Sequence, residues 1–170
     1  MQYERVDLAD VDQLYIRMHE RWWASHGAVM VYIKNQSVAF TTPSKPKAQA
    51  TVALVTTGGA HRKDQIPFDM TSRVGDPTVR FIPYDTPSAD LLFTHDHYDH
   101  TSADKDPNCM FPLEHLRAFA SEGVIGAVAP THVGVSGWIP GPEALLKNTV
   151  PQIIERLKED GVDVALLTGG

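Results

Sequence analysis

Four short runs, each apolar on both faces and each ending in polar residues able to do chemistry, constrain what this chain can fold into. Thr51 to Val55 (TVALV) ends in Thr56-Thr57-Gly58-Gly59, and Leu91 to Thr94 (LLFT) ends in His95. Val124 to Ala129 (VIGAVA) ends in Pro130-Thr131-His132, and Val162 to Leu167 (VDVALL) ends in Thr168-Gly169-Gly170. A strand that is apolar on both faces is one buried on both, as in a parallel sheet. Helical patterns separate the later runs. One helix is expected from Pro112 to Gly123, with Leu113, Leu116 and Phe119 inward. Another is expected from 142 to 160, with Pro142 near its start, Gly161 just past its end and a kink or split at Pro151. Strands alternating with helices predict an α/β fold with a parallel, doubly wound (Rossmann-like) sheet. In such sheets ligands bind beyond the carboxyl ends of the strands. The residues expected there are Thr56, Thr57 and His61; His95 to His100; Thr131 and His132; and Thr168.

Ahead of this pattern the chain is organised differently. Val11, Leu14, Tyr15, Met18 and Trp22 recur at helical spacing over residues 9 to 23 and predict one buried stripe. Residues 28 to 40 are rich in Val, Tyr, Ile and Phe, which suits a short strand, and Thr41 to Gln49 (TTPSKPKAQ) reads as a linker. The expected organisation is therefore an N-terminal helical arm over 1–45 and an α/β domain over 46–170 that is incomplete at its C-terminus. A chain of 170 residues with 42% apolar and 21% charged residues suits one globular domain rather than disorder. A net charge of −6 and scattered basic residues argue against nucleic acid or an anionic membrane as partner. No apolar run reaches the roughly 20 residues that span a bilayer. The acidic start MQYERVDLADVD is unlike a signal peptide, and the single cysteine, Cys109, rules out an internal disulfide framework. These features point to the cytoplasm.

The densest chemical signal is Thr94-His95-Asp96-His97-Tyr98-Asp99-His100. It fits the H-x-H-x-D-H string of metallo-β-lactamase-type hydrolases. In an extended segment alternate side chains share a face, so His95, His97 and Asp99 would converge and His100 would start the next turn. Imidazole and carboxylate suit zinc, iron or manganese. The lactamase fold needs further His and Asp ligands well downstream, and the only histidines after His100 are His115 and His132. The other readings are a metal site on a different fold and a hydrogen-bonded polar loop that binds substrate. Thr56-Thr57-Gly58-Gly59 lacks both G-x-G-x-x-G and the phosphate-cradling P-loop pattern. It reads as a tight turn whose backbone N–H groups can hold a carboxylate. Gly134-Val135-Ser136-Gly137-Trp138 misses the nucleophile elbow at its fifth position and reads as a substrate loop. Trp22-Trp23 suit a core or an interface anchor, and Cys109 suits a small buried apolar role, with a weaker case as a nucleophile before a helix.

Several segments together resemble one family. They are TVALVTTGGAHRKDQIPFD, GDPTVRFIP, HDHYDHTSADKDPNCMFPLEHLRAFASEGVIGAVAPTHVGVSGW and IIERLKEDGVDVALLTGG. In order and spacing they are similar to the selenoprotein B family of glycine, sarcosine, betaine and D-proline reductases, and in layout to the short D-proline reductase subunit. The likeness runs from Thr51 to Gly170, with Asp104 to Pro112 and DGVDVALLTGG its most specific parts. The resemblance implies a subunit of a selenol- or thiol-dependent oxidoreductase that cleaves a C–N bond of a small amino acid or amine. It places a selenocysteine or cysteine directly after Gly170, so the 170-residue chain alone is expected to be inactive. A selenocysteine codon read as a stop is the leading explanation for that endpoint, and a fragment that ends there deliberately is the alternative. A partner reductase subunit, an oligomeric assembly and a pyruvoyl group on the partner are implied, with no cofactor inside this chain apart from a candidate divalent metal. His95, His97 and His132 are then expected to bind the substrate carboxylate or give a proton to the leaving amine. Thr56, Thr57, Gly58, His61, Thr131 and Thr168 are expected to line the substrate. The rival reading is a metal-dependent hydrolase or redox enzyme that uses His95, His97, Asp99 and His100. The full H-x-H-x-D-H string departs from the less histidine-rich D-proline pattern, as in a subgroup with another substrate or a metal.

Overall fold

The computed structural model describes residues 41–169, together with the backbone of two short strands, β1 (Glu4–Val6) and β2 (Tyr32–Lys34), which pair antiparallel. The second lies inside the β-rich stretch expected at 28 to 40. The helix expected over 9 to 23 falls outside the described residues.

The centre of the fold is β3 (Thr51–Thr56), the TVALV run extended by one residue. Val52, Ala53, Leu54 and Thr56 are all buried, so both faces of this strand are covered, as its composition requires. Along one edge β9 (Val164–Thr168) pairs with it in parallel, from Val52 opposite Val164 to Thr56 opposite Thr168. Asp163 starts that pairing by accepting the Thr51 N–H at 2.9 Å. Along the other edge two pieces run in parallel, β7 (Ala127–Val128) and then β8 (Thr131–Val135), separated by Ala129 and Pro130. On the far side of β8, β5 (Val79–Pro83) is antiparallel.

Three expectations change here for local reasons. The LLFT run does not enter the main sheet. Its strand, β6 (Leu91–Phe93), pairs antiparallel with β4 (Ala60–Arg62) in a separate ribbon. The strand expected to stop at Ala129 instead resumes after Pro130, so Thr131 and His132 lie within β8 rather than beyond a strand end. Proline interrupts the ladder only where its own N–H would have been needed. Finally, β9 is not buried on both faces: Leu166 is 44% and Leu167 72% exposed.

Among the described residues three α-helices follow the loops. Helix α1 (Thr101–Lys105) is one short turn. Helix α2 (Leu113–Ser121) buries Leu113 and Leu116 against Leu54, Ile82, Phe93 and Phe111, whereas Phe119, expected inward, is 46% exposed. Helix α3 (Val150–Glu159) follows a wider π-type turn at Leu145–Thr149. Two residues past that turn stands Pro151, which has no N–H to donate and whose ring crowds the carbonyl four residues back. The Val150 N–H accordingly reaches the Leu145 carbonyl. The described elements establish a mixed α/β fold with a mostly parallel sheet. They do not confirm the Rossmann-like double winding: one expected strand is diverted into the ribbon, and α3 buries no residue. No helix among the described residues is long and apolar enough to cross a membrane.

Candidate functional site

The carboxyl ends of β3, β8 and β9 form one rim, and backbone hydrogen bonds hold three loops against it. The Thr56 Oγ1 accepts the Gly58 N–H at 3.1 Å and closes the turn after β3. The Thr57 N–H donates to the Thr168 carbonyl at 3.1 Å, which ties the end of β9 to that turn. Thr168 is fixed a second time through its hydroxyl, which donates to the Met110 carbonyl at 2.8 Å. The Gly59 N–H donates to the Val135 carbonyl and the Thr94 N–H to the Gly59 carbonyl, both at 3.0 Å. The turn is thereby stitched to the loop after β8 and to the loop after β6. Gly59 has φ +72°, and a side chain there would stand 2.2 Å from the Thr94 carbonyl oxygen. At Gly137 a side chain would lie 2.8 Å from the Thr57 carbonyl oxygen and 3.3 Å from His95 Nε2. The three loops therefore meet at His95.

The histidine-rich segment is a bent loop, not an extended strand. The His97 N–H donates to His95 Nδ1 at 3.1 Å, so the chain folds back on itself within two residues. The His97 ring stacks on Trp138 with centroids 4.2 Å apart and planes 20° from parallel. His95 packs on Tyr98 at 4.6 Å, and the Tyr98 hydroxyl donates to the Gly58 carbonyl at 2.6 Å. Burial pushes the Tyr98 phenol up to about 12, with Asp104 adding to the effect. Burial also lowers the His95 pKa, assisted by His97. The Asp96 carboxylate pairs with His97 Nδ1.

The bend redistributes the expected metal ligands. One ligating atom from each of His95, Asp96 and His97 lies within 4.8 Å of the others. Asp99 instead accepts the Thr101 N–H at 2.9 Å and the Thr101 hydroxyl at 2.5 Å, starting α1. These two bonds lower its pKa. The His100 Nδ1 faces Asp104 Oδ2 at 2.9 Å on the same helix.

The other candidates lie further from the rim. His61 is buried in β4, with Nδ1 2.9 Å from the Arg62 carbonyl oxygen and Nε2 2.8 Å from Thr94 Oγ1. A carbonyl can only accept, so Nδ1 carries a proton, and the ring braces the base of the histidine loop. His132 is buried in β8, where its Nδ1 accepts the Leu54 N–H at 2.9 Å. Here the imidazole takes the place of a ladder carbonyl at the break made by Pro130. Burial lowers its pKa to about 4, with Arg117 adding to the effect. The ring is therefore neutral at pH 7 with its proton on Nε2, which has no hydrogen-bond partner among the described residues. Thr131 sits opposite Pro83 in the ladder.

The structure thus gathers His95, His97, Thr56, Thr57, Gly58 and Thr168 at one rim. His61 stands one hydrogen bond behind it, and His132 and Thr131 stand within the sheet. Sequence reasoning missed Asp96, Tyr98 and Trp138. Strict alternation put Asp96 on the face opposite the histidines, and Trp138 registered only as the residue that spoils an elbow motif.

Fold and rim together define a mixed α/β protein whose histidine loop stands at the carboxyl ends of its parallel strands. Comparison with known proteins narrows this. Residues 9–170 match the model of the glycine/sarcosine/betaine reductase selenoprotein B family, and the chain belongs to that family. It is 40% identical over 131 residues to the D-proline reductase subunit gamma of Acetoanaerobium sticklandii, an alignment covering 77% of this chain and 53% of that protein. It is 32% identical over 142 residues to the betaine reductase complex component B subunit beta of Peptoclostridium acidaminophilum, covering 79% of this chain and 31% of the relative. A sarcosine reductase complex component B subunit beta from the same organism is 32% identical over 131 residues, covering 73% and 29%. The chain spans about half or less of the length of these curated relatives. No solved structure matches it.

Proposed function

We propose that this chain supplies the substrate-binding rim of a selenol- or thiol-dependent reductase subunit that cleaves the C–N bond of a small amino acid or amine. Its relatives are subunits of reductases for D-proline, betaine and sarcosine. The observation that carries the reading is the Thr57 N–H to Thr168 carbonyl bond, which brings the C-terminal end of β9 to the rim where His95 and His97 stand. In the proposed enzyme a selenocysteine or cysteine follows β9 in the longer protein and meets substrate there. Ionised selenolate or thiolate is the attacking species. It attacks the carbon that bears nitrogen, the C–N bond breaks, and the departing amine takes a proton. Thiols then reduce the adduct. His97, held flat against Trp138, is the proposed proton donor or carboxylate anchor, and His95 lines the same wall. A partner subunit completes the assembly and carries the pyruvoyl group where one is used.

The test uses the full-length protein with its partner subunits, following amine release from glycine, sarcosine, betaine and D-proline under a dithiol reductant. His97→Ala is expected to abolish turnover while the protein stays folded. Unchanged kcat and KM in that variant, or no reduction of any of the four substrates by the parent enzyme, would overturn the reading.

A further inference from the structure

We infer that His95, Asp96 and His97 form a binding site for one divalent transition-metal ion of the zinc or iron(II) type. The donor set is two imidazoles and a carboxylate, the borderline combination that suits zinc, iron and their neighbours rather than calcium or magnesium. The spacing fits. Three ligands sharing one ion through bonds of about 2.0–2.2 Å stand about 3.3–3.8 Å from one another, and the three atoms here lie within 4.8 Å of one another. Side-chain movement of about 1 Å or a little more completes the set.

The rings are held before any ion arrives. Trp138 stacks on His97, and Tyr98, anchored to the Gly58 carbonyl, packs on His95. Ligands fixed in this way bind without a further ordering cost. The contact an ion replaces is already polar. Between Asp96 and His97 it would replace the direct contact of the carboxylate with the imidazole. The Asp96 side chain is 51% exposed, which leaves the ion open on one side. Three protein ligands with an open position is the arrangement of a metal that takes a further ligand, in contrast to a closed structural site. With an ion bound, His97 would anchor a substrate carboxylate through the metal and would not itself donate the proton; the open position suits the carboxylate or amino group of a small ligand entering the rim. Asp99 and His100 are outside the set, because both are engaged with α1.

The site stands or falls separately from the reductase reading, because its test measures binding and not turnover. Purified protein is stripped with a chelator and titrated with Co(II), with visible absorption reporting ligand-field bands; zinc then competes for the same site. The expected result is one cobalt per chain with nitrogen–oxygen ligation, displaced by one equivalent of zinc. Asp96→Asn, at a half-exposed carboxylate whose loss leaves the fold intact, should weaken binding on the order of 100-fold, and His95→Ala by at least as much. His100→Ala should leave the affinity unchanged, with circular dichroism confirming that each variant is folded. No stoichiometric cobalt spectrum would overturn the inference. So would a folded Asp96→Asn that binds as tightly as the parent, or a loss of binding in His100→Ala alone.

Discussion

Replacing Gly59 with alanine tests the approach of the loops that builds the rim, and Gly123→Ala is its internal control. Both glycines have nearly the same positive φ, +72° and +73°. Alanine in that region costs about 1–2 kcal/mol, offset by about 0.4–1 kcal/mol from the stiffer unfolded chain. At Gly123 nothing lies within 4 Å of the added methyl, so the net cost there should be about 1 kcal/mol or less. At Gly59 the methyl would stand 2.2 Å from the Thr94 carbonyl oxygen, which forces the histidine loop away from the turn. The 3.0 Å bond from the Thr94 N–H to the Gly59 carbonyl is then stretched or lost. Overpacking adds about 1–3 kcal/mol and the lost bond about 1 kcal/mol, for an excess over Gly123→Ala near 3 kcal/mol. For a chain of this size that lowers Tm by about 6–12 °C. Urea unfolding of both variants beside the parent reads the two costs at constant m value. If the Gly59→Ala and Gly123→Ala costs agree within about 0.5 kcal/mol, the close approach of residues 59 and 94 is refuted.

Two further outcomes are expected. The His132 pKa falls from 6.5 unfolded to about 4 folded, so between those values the unfolded chain binds more protons and stability rises with pH. Acidification from pH 7 to 4 should therefore remove stability on the order of 3 kcal/mol, and His132→Gln, which can still accept the Leu54 N–H, should flatten that slope in urea titrations. Tyr98→Phe should cost about 1 kcal/mol by removing the hydroxyl from the Gly58 carbonyl, read as a shift in urea midpoint; an unchanged midpoint would dismiss that tie.

The parallel pairing was legible because TVALV and VDVALL are uniformly apolar runs, and they pair as adjacent strands, although the second keeps Leu166 and Leu167 exposed. The helix after Pro112 was legible from its spacing. LLFT misled because a run that short carries no information about its partner: the same three residues serve a parallel sheet or a two-stranded ribbon equally well. VIGAVA was read as one strand ending at a proline, whereas the ladder resumes on the far side and draws His132 into it. At the rim, the Thr-Thr-Gly-Gly turn and Thr168 meet because their strands are neighbours, whereas the histidine loop arrives from the separate ribbon. The ligand geometry was not legible, because alternation holds for extended chain and the loop bends at His95. Neither could spacing show that Trp138, more than forty positions downstream, lies flat against His97.

With its phenol pushed up to about 12, Tyr98 keeps its proton in mildly alkaline solution, and the clasp it makes on the Gly58 carbonyl does not loosen there. His132, in contrast, gives way on the acid side. The response to pH at these two ties is thus lopsided: the wall beside His95 keeps its hold in base, while the strand contact at His132 weakens in acid.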